Sequence, residues 1–262
     1  MIYSEWYFGN DNLPLLATAI HNGHQIPSEL KELCAINEKD RLREEDPYTS
    51  ELATLFPNYI VNHTSRFAVD LNRPPEKAVY LTPEDCWGLN PWLKPLPKEY
   101  LNKLYEDYNT WYALLRYQIE RMLKIHPFLI ILDLHSYNYR RNGPEAKAKP
   151  DSANPDIIIG RSNLKSEYYP LIDDLRDLLL GKIIQGNELN CQLDVKFTGG
   201  NLSQWLNSHF SDYLICLAIE FKKIFMDEWT GELYYETFNQ LKDVFKEAIA
   251  SWLQNAFSIQ LG

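Results

Sequence analysis

Residues 128–136 read Phe-Leu-Ile-Ile-Leu-Asp-Leu-His-Ser. The run Phe128 to Leu132 is wholly apolar, short and rich in leucine and isoleucine, the pattern of a strand buried on both faces. It empties into the polar cluster Asp133-Leu134-His135-Ser136. Polar residues at the end of a buried strand are where α/β proteins place their ligands. The same arrangement occurs upstream, where Leu15 to Ile20 reads as a short buried strand running into His21-Asn22-Gly23-His24. Downstream, Tyr213 to Phe221 alternates apolar residues around a single acid, Glu220.

Helical patterns fill the intervals between these strands. Ser28 to Leu33 reads as a short helix, Arg41 to Asp46 as a charged loop, and Ser50 to Leu55 as a further helix. Tyr59 to His63 and Phe67 to Leu71 read as a pair of strands, stopped by Asn72-Arg73-Pro74-Pro75. Tyr80 to Pro97, rich in Pro and Trp, reads as a long packed excursion. The longest predicted helix is Tyr100 to Ile125, with Leu101, Leu104, Tyr108, Leu115, Ile119 and Met122 at helical spacing. Asn138 to Asn154 is basic and Pro-interrupted, a mobile loop, followed by a strand at Asp156 to Ile159. Tyr168 to Leu180 is helical, Leu193 to Phe197 is a strand closed by Gly199-Gly200, and Tyr235 to Phe257 is an amphipathic helix. Strands alternating with helical segments predict an α/β fold of three layers, a central sheet with helices on both faces.

A chain of 262 residues with 45% hydrophobic content supports one sizeable core, so residues 1–262 are expected to form a single catalytic domain. A formal net charge of -10 argues against nucleic acid or an anionic membrane as partner, because both require clustered cations. Cys34, Cys86, Cys191 and Cys216 form no C-x-x-C pair, and their low density fits a reducing compartment. With no secretory signal pattern and no long apolar run, a cytoplasmic location is the expectation. Oligomeric state is not legible.

Three strand ends thus carry His21, His135 and Glu220. Two histidines from distant strands, completed by a carboxylate, are how a mononuclear zinc site gathers its ligands while keeping a position open. The plain alternative for either histidine is a hydrogen-bonded residue with no ligand role. Asp133 is expected to point away from His135 and is assigned to a supporting position or the substrate wall. Glu220, among Leu217, Ala218, Ile219 and Phe221, is a carboxylate in apolar company, as a general base requires; the alternative is an ion pair with Lys222 or Lys223. Asn72 and Arg73 can hold a substrate carboxylate, the planar guanidinium matching that anion, or Arg73 can simply pair with Asp70. Glu44-Glu45-Asp46 would ordinarily be a solvated acidic run.

The ordered set His21-Asn22-Gly23, Ser65-Arg66-Phe67, Asp70-Leu71-Asn72-Arg73-Pro74, Asp133-Leu134-His135-Ser136, Gly199-Gly200, Ile219-Glu220 and Met226-Asp227-Glu228 resembles the N-formylglutamate amidohydrolase family. The resemblance covers His21 to Glu228. It implies a mixed sheet like that of zinc carboxypeptidases and aspartoacylase, with one zinc ion, or another divalent transition metal, at the strand ends. It further implies His21 and His135 as ligands, with Asp46 the favoured carboxylate and Glu45 or His24 the alternatives. Glu220 stands at the position of the general base, Arg66 assists the oxyanion, and Asn72, Arg73, Asp70, Ser136, Gly199 and Gly200 face a small carboxylate-bearing substrate. Phe67 stands where relatives often carry Tyr. The implied reaction is hydrolysis of N-formyl-L-glutamate or a related N-acyl amino acid by zinc-activated water. Two other readings are a peptidase-like or γ-glutamyl amide hydrolase and a catalytically silent metal-binding scaffold.

Overall fold

The computed structural model describes residues 2–146 and 152–261. Its strands, in chain order, are β1 (Ser4–Phe8), β2 (Leu15–Ala19), β3 (Asn58–Asn62), β4 (Leu129–Tyr137), β5 (Ile157–Gly160), β6 (Ile183–Ile184), β7 (Asn187–Glu188), β8 (Cys191–Leu193) and β9 (Leu214–Lys222). Seven of them form one sheet in the order β1-β3-β2-β4-β9-β5-β8, while β6 and β7 pair apart as a small hairpin. Strands β3, β2, β4 and β9 run parallel at the centre. The sheet is mixed because β1 joins β3 and β5 joins β9 antiparallel.

Helices α1 (Glu38–Glu44), α2 (Thr49–Ala53), α3 (Lys98–Leu123), α4 (Tyr169–Leu179), α5 (Asn201–His209) and α6 (Tyr235–Phe257) complete the fold. The pleat sends successive side chains to opposite faces, and the core divides accordingly. On one face Leu15, Ala17, Ile130, Leu132, Ile215 and Leu217 pack with α2, α4 and α6. On the other, Leu16, Leu129, Ile131, Leu214 and Cys216 pack with α3 and α5. The expected α/β architecture of three layers is therefore observed.

Several local expectations are corrected. Strand β4 does not stop at Leu132. It runs through Tyr137, held in register with β9 along nine residue pairs from Leu129↔Leu214 to Tyr137↔Lys222, so the polar cluster lies within the strand. Arg41 to Asp46 is a loop only at Glu45 and Asp46. Helix α1 runs to Glu44, started by Asn37, whose side chain accepts a hydrogen bond from the Asp40 backbone. Phe67 to Leu71 is not a strand but a sequence of turns that is buried throughout, its apolar residues serving loop packing. Leu193 to Phe197 contributes only its first residue to β8. Strand β1 and helix α5 were not anticipated. The excursion of residues 80–97 is packed as expected: Trp92 is buried and its indole N–H donates to the Tyr80 carbonyl. Part of the predicted mobile loop Asn138 to Asn154 lies outside the described residues. No described helix is long and apolar enough to cross a membrane.

Candidate active site

Parallel β2, β4 and β9 all end on the same edge of the sheet, and each delivers one polar group there. His135 and Glu220 are direct cross-strand partners. Asp133, Thr18 and His135 share the α3/α5 face, because residues two apart on a strand point the same way. The expectation that Asp133 faces away from His135 is therefore wrong. Its Oδ2 lies 3.0 Å from His135 Nε2, and its Oδ1 accepts from the Thr18 hydroxyl at 2.8 Å.

Immediately after β2, the His21 Nε2 lies 2.6 Å from Asp70 Oδ1. A carboxylate only accepts, so Nε2 donates to it, and Nδ1 faces the other way. That Nδ1 is 3.5 Å from Asp46 Oδ2, and His135 Nδ1 is 3.1 Å from the same oxygen. Asp46 is fixed by its own backbone: its N–H donates to the His21 carbonyl at 3.0 Å, and its C=O accepts from the Thr49 hydroxyl at 2.7 Å. Asn22 adds to this turn, accepting from Ser50 N at the start of α2.

His21, Asp46 and His135 are all buried, and their ligand-type atoms lie within 4.8 Å of one another. Two imidazole Nδ1 atoms and a carboxylate oxygen turned toward one point need a positive charge between them. Each imidazole has a carboxylate behind its other nitrogen, the arrangement that orients metal-binding histidines. The residues therefore fit a divalent cation. For Asp46, burial acts to raise the pKa, but hydrogen bonds to His135 and His21 hold it well below the usual carboxylate range. For Asp70, burial is likewise overcome, here by Arg66 and His21. Glu220 behaves oppositely: burial pushes its carboxyl up to about 7, against the opposing pull of His135. Although ringed by protein, it remains half-buried and reachable from solvent through a cleft of about 420 Å³, in whose wall His21, Asp46 and His135 also stand.

A family model for N-formylglutamate amidohydrolase matches residues 13–226. The chain belongs to the N-formylglutamate amidohydrolase family. Membership supports an amidohydrolase activity. Among solved structures, the N-formylglutamate amidohydrolase from Ralstonia eutropha JMP134 aligns with 96% of this chain and 98% of its own, with a TM-score of 0.74 at 16% identity. A gene product from Agrobacterium tumefaciens aligns over 95% of each chain with a TM-score of 0.63, also at 16% identity. At these identities the likeness is one of fold. Sequence comparison with curated proteins finds no match.

The other residues expected in this amidohydrolase's site divide into cleft and support. Arg66, Asn72, Arg73, Ser136, Gly199 and Gly200 all border the cleft. Asp70, expected beside the substrate, is fully buried behind His21 and pairs with Arg66 at 2.8 Å and with the Tyr80 hydroxyl. Glu45 and His24, the alternative ligands, bond to each other, and Glu45 also accepts from Ser65; neither joins the His21–Asp46–His135 cluster. Gly200 serves as much by absence as by contact, since a Cβ there would meet the Asn72 side-chain amide at 2.3 Å. Asn72 in turn accepts from the Leu202 backbone with its Oδ1, leaving Nδ2 toward the cleft and 3.5 Å from His135 Nε2.

Sequence reasoning weighed Lys223 only as an ion-pair partner of Glu220; it is instead buried on the cleft wall, where its ammonium donates to the Arg43 and Glu45 carbonyls at 2.6 and 2.8 Å. Burial pushes its pKa down to about 8. Sequence reasoning missed Glu44, Trp87, Asn138 and Arg141, which close one side of the cleft. The acidity of residues 44–46 and the Asn three positions after His135 were the available signals.

Proposed function

We propose that residues 1–262 act as one catalytic domain, a zinc-dependent amidohydrolase that cleaves N-formyl-L-glutamate or a related N-acyl amino acid in the cytoplasm. The observation that carries this reading is the convergence of His21, Asp46 and His135 on one point beside Glu220, within a chain of this family. Two imidazoles and a carboxylate suit zinc, and another divalent transition metal could serve. A likeness to the zinc carboxypeptidase fold belongs to the same reading, as do free thiols at all four cysteines in a reducing compartment.

When bound, such an ion supplies acidification of a water molecule and polarisation of the amide carbonyl. Glu220 accepts the proton of the attacking water and delivers it to the amide nitrogen as the C–N bond breaks. One water is consumed; the acyl group leaves as an acid and the amino acid as a free amine. A carboxyl whose pKa sits near neutrality is suited to both transfers. Arg73, half-exposed at the cleft, and the Asn72 amide hold the substrate carboxylate and so fix the scissile bond. Arg66 has three of its five N–H groups engaged by Tyr80, the Glu44 carbonyl and Asp70, which leaves two to face developing negative charge.

The direct test is Glu220→Gln. The expected result is a loss of turnover on the order of 10²- to 10⁴-fold with metal content retained, measured by steady-state kinetics and elemental analysis on the same sample. Wild-type turnover in that variant would remove Glu220 from the mechanism.

A further inference from the structure

We propose that the cleft extends behind the Arg141–Glu44 ion pair into a second chamber that takes the ammonium-bearing end of an aminoacyl group, so that N-aminoacyl amides are substrates alongside the formyl one. The proposal rests on the amidohydrolase reading above.

A separate cavity of about 340 Å³ lies beside the cleft, lined by Arg43, Glu44, Trp87, Asn138, Arg141 and Glu228. Four of these, Glu44, Trp87, Asn138 and Arg141, also line the cleft itself, so the two spaces share a wall. Arg141 holds Glu44 through Nη1 at 3.3 Å and Nη2 at 3.0 Å, with its guanidinium 5.6 Å from the Trp87 ring centroid. The Arg141 side chain is half-exposed while Glu44 is buried, and Glu44 also meets Arg43 Nε at 3.3 Å, so the carboxylate keeps a cationic partner when Arg141 leaves. Trp87 sits at a φ of 55°, a conformation unusual for a bulky residue and of the kind that clusters at functional sites.

The remaining walls do not depend on Arg141. Buried Glu228 accepts the backbone N–H groups of Tyr139 and Arg140, both at 2.8 Å, and so anchors the segment when Arg141 swings out. This gives the Met226-Asp227-Glu228 motif a role in shaping the chamber. Asn138 supplies the polar contact. It is buried, and its Nδ2 donates to the Arg43 carbonyl at 2.8 Å, which fixes the orientation of the amide. Its Oδ1 then has no hydrogen-bond partner among the described residues, an acceptor that a ligand N–H would satisfy.

Connectivity decides which end of the substrate reaches this chamber. With the carboxylate of the amine half at Arg73 and the carbonyl at His21–Asp46–His135, the acyl substituent leads away from Arg73. An ammonium there meets Asn138 Oδ1 and takes the place of Arg141 against Glu44.

The test uses zinc-loaded full-length Glu220→Gln protein and calorimetric Kd values for glycyl-L-glutamate and N-formyl-L-glutamate. Adding Asn138→Leu is expected to raise the ratio of the glycyl-L-glutamate Kd to the N-formyl-L-glutamate Kd about tenfold, and adding Arg141→Ala to lower it about fivefold. Equal changes for both ligands, or none for either, would overturn the chamber assignment. Wild-type turnover of the two compounds is read in parallel: failure to hydrolyse both would count against the amidohydrolase reading, whereas hydrolysis of N-formyl-L-glutamate alone would overturn the aminoacyl assignment.

Discussion

Asp133 and Arg73 would act on the proposed reaction from different distances. Asp133 is buried beneath His135 and can act only on that ring, through the 3.0 Å contact to Nε2. Asp133→Asn is therefore expected to weaken zinc affinity about 10- to 100-fold, read by competition with a chromophoric chelator. Unchanged affinity would show that the carboxylate does not orient His135. Arg73 is half-exposed, and its loss should be felt at the substrate. For Arg73→Ala a rise in KM of about tenfold or more is expected with N-formyl-L-glutamate. An N-formylated amine without a carboxylate should be a poor substrate for both proteins. Equal hydrolysis of that amine by the wild type would remove the anchor.

At the level of elements, the loops that leave β2 and β3 hold His21 in place, the second supplying Asp70. Gly23 lies two residues beyond His21, where an added Cβ would meet the His63 carbonyl carbon at 2.3 Å and the Thr64 oxygen at 2.5 Å. Backbone on that side cannot yield as a flexible side chain could. Gly23→Ala is expected to cost about 1–3 kcal/mol in urea unfolding and to lower zinc affinity with it; a neutral effect would mean that the two loops separate freely. What the sequence revealed at this scale followed apolar period. The central strands and helices α3, α4 and α6 were legible because they bury continuous runs or regular stripes. Helix α1 was not, since of its seven residues only Leu42 is apolar and it is specified by the Asn37 cap instead. Phe67 to Leu71 misled for the converse reason: its apolar residues are buried by loops, and Asp70 among them serves His21. The candidate ligands His21, His135 and Asp46 were within reach of motif reading. The cleft wall at Arg141 was not, because no periodicity or motif marks a loop side chain that meets α1, and at Asn138 the only signal was its distance from His135.

Across the whole molecule, two apolar cores clamp the sheet from opposite sides and leave the ends of β2, β4 and β9 as the place where charge accumulates. Asp46, Asp70 and Asp133 are buried there around two histidines, so a divalent cation should couple to folding as well as to chemistry. At a free zinc concentration of about 100 times Kd, the folded state gains about 2.7 kcal/mol, which a chelator would withdraw. The decisive measurement is a calorimetric zinc titration of chelator-stripped protein, with Asp46→Ala alongside. One ion per chain in the wild type and greatly weakened binding in Asp46→Ala is the predicted result. No binding by the wild type, or equal binding by the two proteins, would contradict it.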